Sequence, residues 1–397
     1  MGLFPRSTGD RLHSWVDAFN DALALPRPTP RGWRGAGIGT RAERVFSVIG
    51  GAVLLTFAAG WGWSIANART LTDRDAVLTP ATATIAAALT KPDAPTAAYL
   101  SDAALTAYTN RLIASERGAS GKLRATITTS PTPLPADTLP GGAVVRYERD
   151  GEVEPAPEGA GIWRVVLAVG NAIKPVADFN VIRMLPFNAK KSGKIGLYYV
   201  GNWPSERGKV GPKKAPGAAY ANPSGFIEVT RENKDFRVSE HFRLGDFVTH
   251  DQPNVWPKYL VLQPKLLDKL ELVLADLQSR GIDVSNVTVM SGFRTPQYNA
   301  GGGNTAGRAN LSRHMYGDAS DIFLDSDRNG QMDDLNRDGK ISIDDSKVIS
   351  AAVDRVEAAH PELVGGAGVY TAAAGHGPFI HIDTRGYRAR WSGTSGG

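Results

Sequence analysis

Residues Ser291–Asp321 read SGFRTPQYNAGGGNTAGRANLSRHMYGDASD. The tail of this stretch has the form S-x-H-x-x-G-x-A-x-D, running from Ser312 through His314, Gly317 and Ala319 to Asp321. Far downstream stands Phe379-Ile380-His381-Ile382-Asp383. Two histidines and one aspartate can supply three protein ligands to a zinc ion and leave its fourth tetrahedral position open to water. Structural zinc sites are usually closed by four ligands and lean on cysteine. This chain contains no cysteine. The pattern is that of a catalytic zinc centre.

The surrounding sequence supports it. Asp321 opens an apolar run to Leu324 that reads as a strand, and Gly317 and Ala319 are small enough for a tight turn between the first two ligands. Alternation along a second strand puts Phe379, His381, Asp383 and Arg385 on one face. Pro264–Ser279 is the clearest helix. Pro264 suits its first position, Leu266, Leu267, Leu270, Val273, Leu274 and Leu277 share one face, and Gly281 follows as a stop. It is expected to pack under the zinc-bearing sheet. Val287–Met290 reads as a strand that delivers Ser291 and Arg294 to the rim of a cleft.

The segments SGFRTPQYNA, SRHMYGDASDI and FIHIDTRGYRARW resemble the zinc D-Ala-D-Ala carboxypeptidase and murein endopeptidase family, which shares its metal core with hedgehog-type domains. The resemblance covers residues 225–397. It implies zinc on His314, Asp321 and His381, a small α+β domain with an antiparallel sheet, and hydrolysis of peptide bonds in peptidoglycan stems or cross-links. It also implies that Arg294 grips a substrate carboxylate or carbonyl, a task suited to the planar guanidinium. One departure matters. Many relatives carry an acid three positions before the last ligand, or a histidine two before it, as the catalytic base. Pro378 and Phe379 stand there instead. The base is expected from Asp383, on the ligand's strand face, or from His376, in the preceding glycine-flanked turn. Asp383 could equally orient His381, as metal-bound histidines commonly require. Arg385 is a second candidate for substrate binding or for an oxyanion. Ser312 is expected to hold the ligand loop by hydrogen bonding, since no histidine–carboxylate pair is spaced to activate it.

Upstream, the 397 residues leave room for two or three domains. Residues 1–44 form an Arg-rich tail. Residues 45–66 carry no charge and, at about 1.5 Å per residue, can cross a hydrocarbon core of roughly 30 Å. Trp61 and Trp63 sit toward the far end, while Arg27, Arg31, Arg34, Arg41 and Arg44 precede the segment. The positive-inside rule then puts the tail in the cytoplasm and the remainder outside. Ala66-Asn67-Ala68 resembles a signal-peptide cleavage site, but the long tail fits a retained anchor better. The expectation is a single-pass protein of the bacterial inner membrane with a periplasmic or extracytoplasmic catalytic domain.

Residues 67–119 read as an Ala-rich helical stalk, 120–207 as a small all-β module of sandwich type, and 208–224 as a linker dense in Gly, Pro, Ala and Lys. Ser239 reads as an N-cap within Phe236–Phe247, with His241 at the helix start. The net charge of +5 suits an anionic wall or membrane surface. Basic residues are dispersed and no recognition motif accompanies them, so no nucleic-acid partner is expected.

A second metal is expected in an insertion at residues 325–345. Counted from Asp334, D-L-N-R-D-G-K-I-S-I-D-D fills the positions of a calcium loop with Asp334, Asn336, Asp338, Ser342 and Asp345, Lys340 adding its carbonyl and Gly339 the turn. Asp345 replaces the usual glutamate. Asp325, Asp327 and Asn329 begin an incomplete overlapping loop, and Asp333 can serve either. Ser346–Ala359 then reads as a helix. The combined expectation is a membrane-anchored zinc peptidase acting on peptidoglycan, with cross-link cleavage favoured over removal of a terminal residue. The alternative from another class is a non-catalytic zinc-containing wall-binding or scaffold module.

Overall fold

The structure, a computed structural model, describes residues 110, 113–131, 134, 144–169, 172–207, 220–302, 308–373 and 376–393. The expected tail (1–44), anchor (45–66) and stalk as far as residue 109 lie outside the described residues. Among the described residues no helix is long and apolar enough to cross a membrane. The architecture is mixed α+β with few helices.

The first sheet comprises β1 (Ala125–Thr128), β2 (Val144–Arg149), β3 (Glu152–Glu154), β4 (Gly161–Val169) and β5 (Ala172–Arg183), in the order β1-β5-β4-β2-β3. It is one sheet rather than the two stacked sheets of a sandwich. β1 runs parallel to β5 and the other pairs are antiparallel. Alternation buries Val145 and Tyr147 from β2, and Trp163, Val165 and Leu167 from β4, with Val176, Phe179 and Val181 of β5. Pro175 hides β5 from a sequence reading, because proline cannot donate to a ladder. The strand takes it beside the register shift opposite Arg164 and Val166.

Beyond Arg183 the chain joins a larger core. β6 (Leu185–Pro186), the hairpin of β7 (Lys194–Ile195) and β8 (Tyr198–Tyr199), and Trp203 precede β9 (Gly225–Val229) and β10 (Lys258–Leu260). β6 pairs with β9, and Met184, Ile195, Tyr198, Val200 and Trp203 share one hydrophobic cluster with Phe226, Phe247 and Leu262. The boundary expected between residues 207 and 225 therefore has one continuous core on both of its sides. The chain is also tied down before β1. The Ala119 and Ser120 amides each donate 2.8 Å bonds to the Asp268 carboxylate. Phe236–Phe247 holds only a short 3-10 turn at Leu244–Phe247, and Ser239 is not a cap but bridges Leu123 as a single β pair. His241 donates its amide to Glu271 at 2.8 Å, with its Nδ1 2.7 Å from the other carboxylate oxygen.

The C-terminal layer contains α1 (Pro264–Ser279), β11 (Val287–Ser291), α2 (Pro296–Gly301), β12 (Ala319–Leu324), α3 (Ile343–Ala359), β13 (Gly366–Tyr370), β14 (Phe379–Asp383) and β15 (Ala389–Gly393). The strand order is β11-β12-β14-β13-β15. Three pairs are antiparallel and β13–β15 is parallel, so the sheet is mixed where an antiparallel one was expected. The helices close one face. Leu266, Leu267, Leu270, Val273, Leu274 and Leu277 of α1 and Ile349, Ala352 and Val353 of α3 share a cluster with Ile322, Leu324, Ile380, Ile382, Ala367 and Val369 of the sheet. At about 1.5–3 kcal/mol per fully buried aliphatic side chain, that packing outweighs any single polar contact on the opposite face. α3 starts earlier than Ser346 because Ser342 and Asp345 form a capping box.

Candidate metal centre

The open face of the sheet carries one row of residues across all five strands. Register pairs Ser291 with Asp321, Asp321 with His381, His381 with Gly368, and Gly368 with Trp391. Cross-strand pairing thus sets two expected ligands side by side, Asp321 Oδ1 lying 2.8 Å from His381 Nδ1. The third arrives from a 3-10 turn, Arg313–Tyr316, whose His314 Nε2 is 3.2 Å from both Asp321 Oδ1 and His381 Nδ1. All three side chains are buried, at 2%, 4% and 8% exposure for His314, Asp321 and His381.

Gly317 makes that turn possible. Its φ of 68° lies in the left-handed region, and a Cβ there would stand 2.3 Å from the Val261 carbonyl oxygen. Its own carbonyl accepts from the Gln263 amide at 2.8 Å. The Trp203 indole donates to the Met315 carbonyl at 3.0 Å, tying the turn to the segment before β9. Beside it the Arg313 guanidinium is buried against Asp318. Ser312 precedes the turn and its carbonyl accepts from Met315, but its hydroxyl makes no capping bond. The expected hydrogen bonding from Ser312 is replaced by backbone contacts.

The donor set fits a cation. His314 Nδ1 lies 2.6 Å from the Gly292 carbonyl oxygen, which only accepts, so Nδ1 carries the proton. His381 Nε2 lies 3.1 Å from Asp383 Oδ2, so Nε2 carries its proton. With both rings neutral, His314 Nε2, His381 Nδ1 and Asp321 Oδ1 direct lone pairs at one another. That arrangement requires a positive charge between them. Ligands about 2.0–2.1 Å from a tetrahedral ion are about 3.3 Å apart, close to the observed 2.8–3.2 Å triangle.

The charges agree. Burial and then the Arg294 charge depress His314 to about 4. Burial would depress His381 too, but hydrogen bonds to Asp321 and Asp383 and their charges lift it to about 9. Burial opposes ionisation of Asp321, yet His314, His381 and Arg294 hold its carboxyl well below the usual range. Without a metal, a proton on His381 takes the cation's place.

The other expected residues fall in different roles. Arg294 donates through Nη2 to Asp321 Oδ2 at 2.7 Å and through Nε to Ser291 Oγ at 2.9 Å, so it braces a ligand. Asp383 is fully buried. One of its oxygens accepts from the Gly366 and Arg385 amides, the other faces His381, and the Arg385 side chain bonds both. Burial opposes its ionisation, but His381 and Arg385 hold it far below the ordinary value. Such a carboxylate orients the histidine and is a poor proton acceptor. Arg385 is engaged by Asp383, with its guanidinium 5.2 Å from the Trp391 ring centre. His376 packs edge-on against Phe379 with ring centres 5.2 Å apart. Its Nδ1 lies 2.7 Å from the Gly377 carbonyl oxygen, so Nδ1 donates, and in the neutral ring the lone pair is on Nε2.

Sequence reading missed Trp391, which stands beside His381, and Tyr370, whose hydroxyl accepts from the Trp391 indole. Tyr370 stacks on Phe379 with ring centres 4.6 Å apart and planes 5° off parallel, and Trp391 packs 5.3 Å from the His381 ring. The available signal was the alternation Gly366-x-Gly368-x-Tyr370, since a strand glycine marks close approach by another group. A Cβ at Gly368 would lie 2.2 Å from the Trp391 indole.

In the insertion, Asp334, Asn336 and Asp338 accept backbone amides from Asp338, Gly339 and Lys340. Asp345 is buried and turned away to cap, accepting from Leu335 at 2.9 Å, Asn336 at 3.2 Å and Ser342 at 2.7 Å. The carboxylates brought within 4.8 Å of one another are instead those of Asp325, Asp327 and Asp333.

The chain matches no protein-family model, no curated protein and no solved structure.

Proposed function

We propose that this chain is a zinc-dependent peptidase of peptidoglycan, with its metal on His314 Nε2, Asp321 Oδ1 and His381 Nδ1 in a core of the D-Ala-D-Ala-peptidase and hedgehog type. The observation that carries this reading is the convergence of three lone pairs whose opposite edges are fixed by Gly292, Asp383 and Arg294. Bound there, zinc would supply a Lewis acid and a water whose pKa is lowered towards about 7. The protein supplies the rest. Arg294 and Asp383 hold the ligands, and His376 Nε2 is the group available to accept a proton from water and return it to the leaving amine.

Cross-link cleavage is favoured over release of a terminal residue. Among the described residues of the site, Arg294 and Arg385 are both engaged by carboxylates, which leaves neither ready to read a free terminal carboxylate. The uncharged segment 45–66 supports a membrane anchor and an extracytoplasmic catalytic domain. Calcium in the insertion, held by Asp334, Asn336, Asp338 and the Lys340 carbonyl, belongs to the same reading as a brace beyond Asp321.

The test is incubation of the purified full chain with cross-linked muropeptides, with and without zinc, and mass analysis of the products. Loss of dimers, abolished by His314→Ala, is the expected result. Release of a single terminal alanine would make the enzyme a carboxypeptidase. One zinc per chain with no product would favour the wall-binding or scaffold module.

A further inference from the structure

Resting on the reading of the site as a peptidase centre, we propose that the Tyr370 hydroxyl is a catalytic hydrogen-bond donor to the carbonyl oxygen of the bound amide, and that Trp391 positions it. Gly368 of β13 pairs directly with His381, so Tyr370 lies one step along the same face. Diagonal neighbours on a sheet face are about 7–8 Å apart, within reach of an aromatic side chain.

The direction of the hydroxyl follows from its partner. The Trp391 indole Nε1 lies 2.9 Å from Tyr370 Oη. An indole N–H only donates, so the phenol oxygen accepts there and its own proton must point elsewhere. Among the described residues Tyr370 Oη has no other hydrogen bond. Both rings are immobilised. Tyr370 stacks on Phe379, while Trp391 lies over Gly368 and against His381.

The hydroxyl also feels the charges of the centre, though burial is the larger influence on it. Asp321, Arg294 and Arg385 all act on it, and burial raises its pKa, so it keeps its proton at neutral pH. The two arginines expected to stabilise an oxyanion are engaged by Asp321 and Asp383. Among the described residues Tyr370 is a neutral donor on this face whose proton is uncommitted. When water adds to the amide carbon and negative charge gathers on the carbonyl oxygen, the phenol strengthens its hydrogen bond without losing its proton. Removing one such donor typically costs about 10²–10³ in kcat.

The experiment compares the full chain with Tyr370→Phe and Trp391→Phe. It measures kcat and KM on a cross-linked muropeptide dimer, zinc affinity by chelator competition, and affinity for a dipeptide phosphinate. For Tyr370→Phe the expected result is a kcat lowered about 100-fold or more with KM within about twofold. Phosphinate binding should weaken in step with kcat while zinc affinity is unchanged. Trp391→Phe should fall between this variant and the parent. Unchanged kcat and phosphinate affinity in Tyr370→Phe, a change confined to KM, or a loss of zinc would each overturn the assignment. If the parent chain shows no His314-dependent hydrolysis, the peptidase reading itself falls and takes this inference with it.

Discussion

Asp383 Oδ2 stands 3.1 Å from His381 Nε2, on the opposite edge of the imidazole from the Nδ1 that faces Asp321. A carboxylate in that place fixes the tautomer that leaves Nδ1 free for a metal. Partners of this kind commonly contribute about 10–100-fold in metal affinity. Asp383→Asn is therefore expected to weaken zinc binding by about that factor in chelator competition, while kcat at saturating zinc stays near the parent value. A kcat that collapses with affinity intact would restore Asp383 as the base.

Trp203 is fully buried and its indole holds the Met315 carbonyl in the turn that carries His314. Replacing a buried aromatic by alanine costs about 3–5 kcal/mol. Chemical denaturation of Trp203→Ala should show a loss of that size. A fragment beginning at residue 208 should fail to unfold cooperatively, because Tyr198, Val200 and Trp203 are missing from its core. One that begins at residue 113 should retain a sharp transition. Equal stability of the two fragments would contradict this account.

Gly317→Ala combines a left-handed φ with a contact to the Val261 backbone that no side-chain rearrangement relieves. The conformational cost alone is about 1–2 kcal/mol. The variant should lose at least that much stability by thermal or chemical melting, and bind zinc more weakly because His314 rides on the same turn.

Asp276 links α1 to α3 through Arg355, with Nε 3.0 Å from Asp276 Oδ1. The Arg355 hydrogen bond is the main cause that holds the Asp276 carboxyl below its ordinary value. Its folded pKa is depressed, so the stability it contributes is present above the unfolded value of about 3.9. That contribution disappears as pH falls through the lower folded value. Arg355→Gln should cost about 1 kcal/mol or less near pH 7, because the arginine is partly exposed. The gap between variant and parent should close in acid, as read from denaturation curves at pH 7 and pH 2.

Asp345 caps α3 and gathers three backbone amides. Losing such a cap costs about 0.5–2 kcal/mol. Asp345→Ala should therefore destabilise the protein even in chelator. Asp334→Ala and Asp338→Ala should leave the chelated protein nearly unchanged but abolish any rise in melting temperature on adding calcium. A calcium response that survives both changes and disappears with Asp325→Ala would move the ion to the Asp325, Asp327 and Asp333 group.

The elements legible in the sequence were those whose signal lies within one segment. The leucine periodicity and Pro264 delimited α1 at Pro264–Ser279, and the spacing from His314 to Asp321 required a turn followed by a strand. The spacing within one segment marked His314 and Asp321, and a separate strand pattern marked His381, whose place beside Asp321 is set by the pairing of β12 with β14. The tertiary structure alone decided which atom each ligand presents, since the free nitrogen of each histidine depends on what its other nitrogen meets, Gly292 for His314 and Asp383 for His381. It likewise turned Arg294 and Arg385 onto carboxylates and drew Tyr198, Val200 and Trp203 into the hydrophobic core of the C-terminal layer. It set Trp391 beside His381 through a parallel pairing of β13 with β15. Hydrogen bonds, ion pairs and burial act between residues distant in the chain. Their outcome follows from where the strands and helices come to lie, which no local pattern encodes.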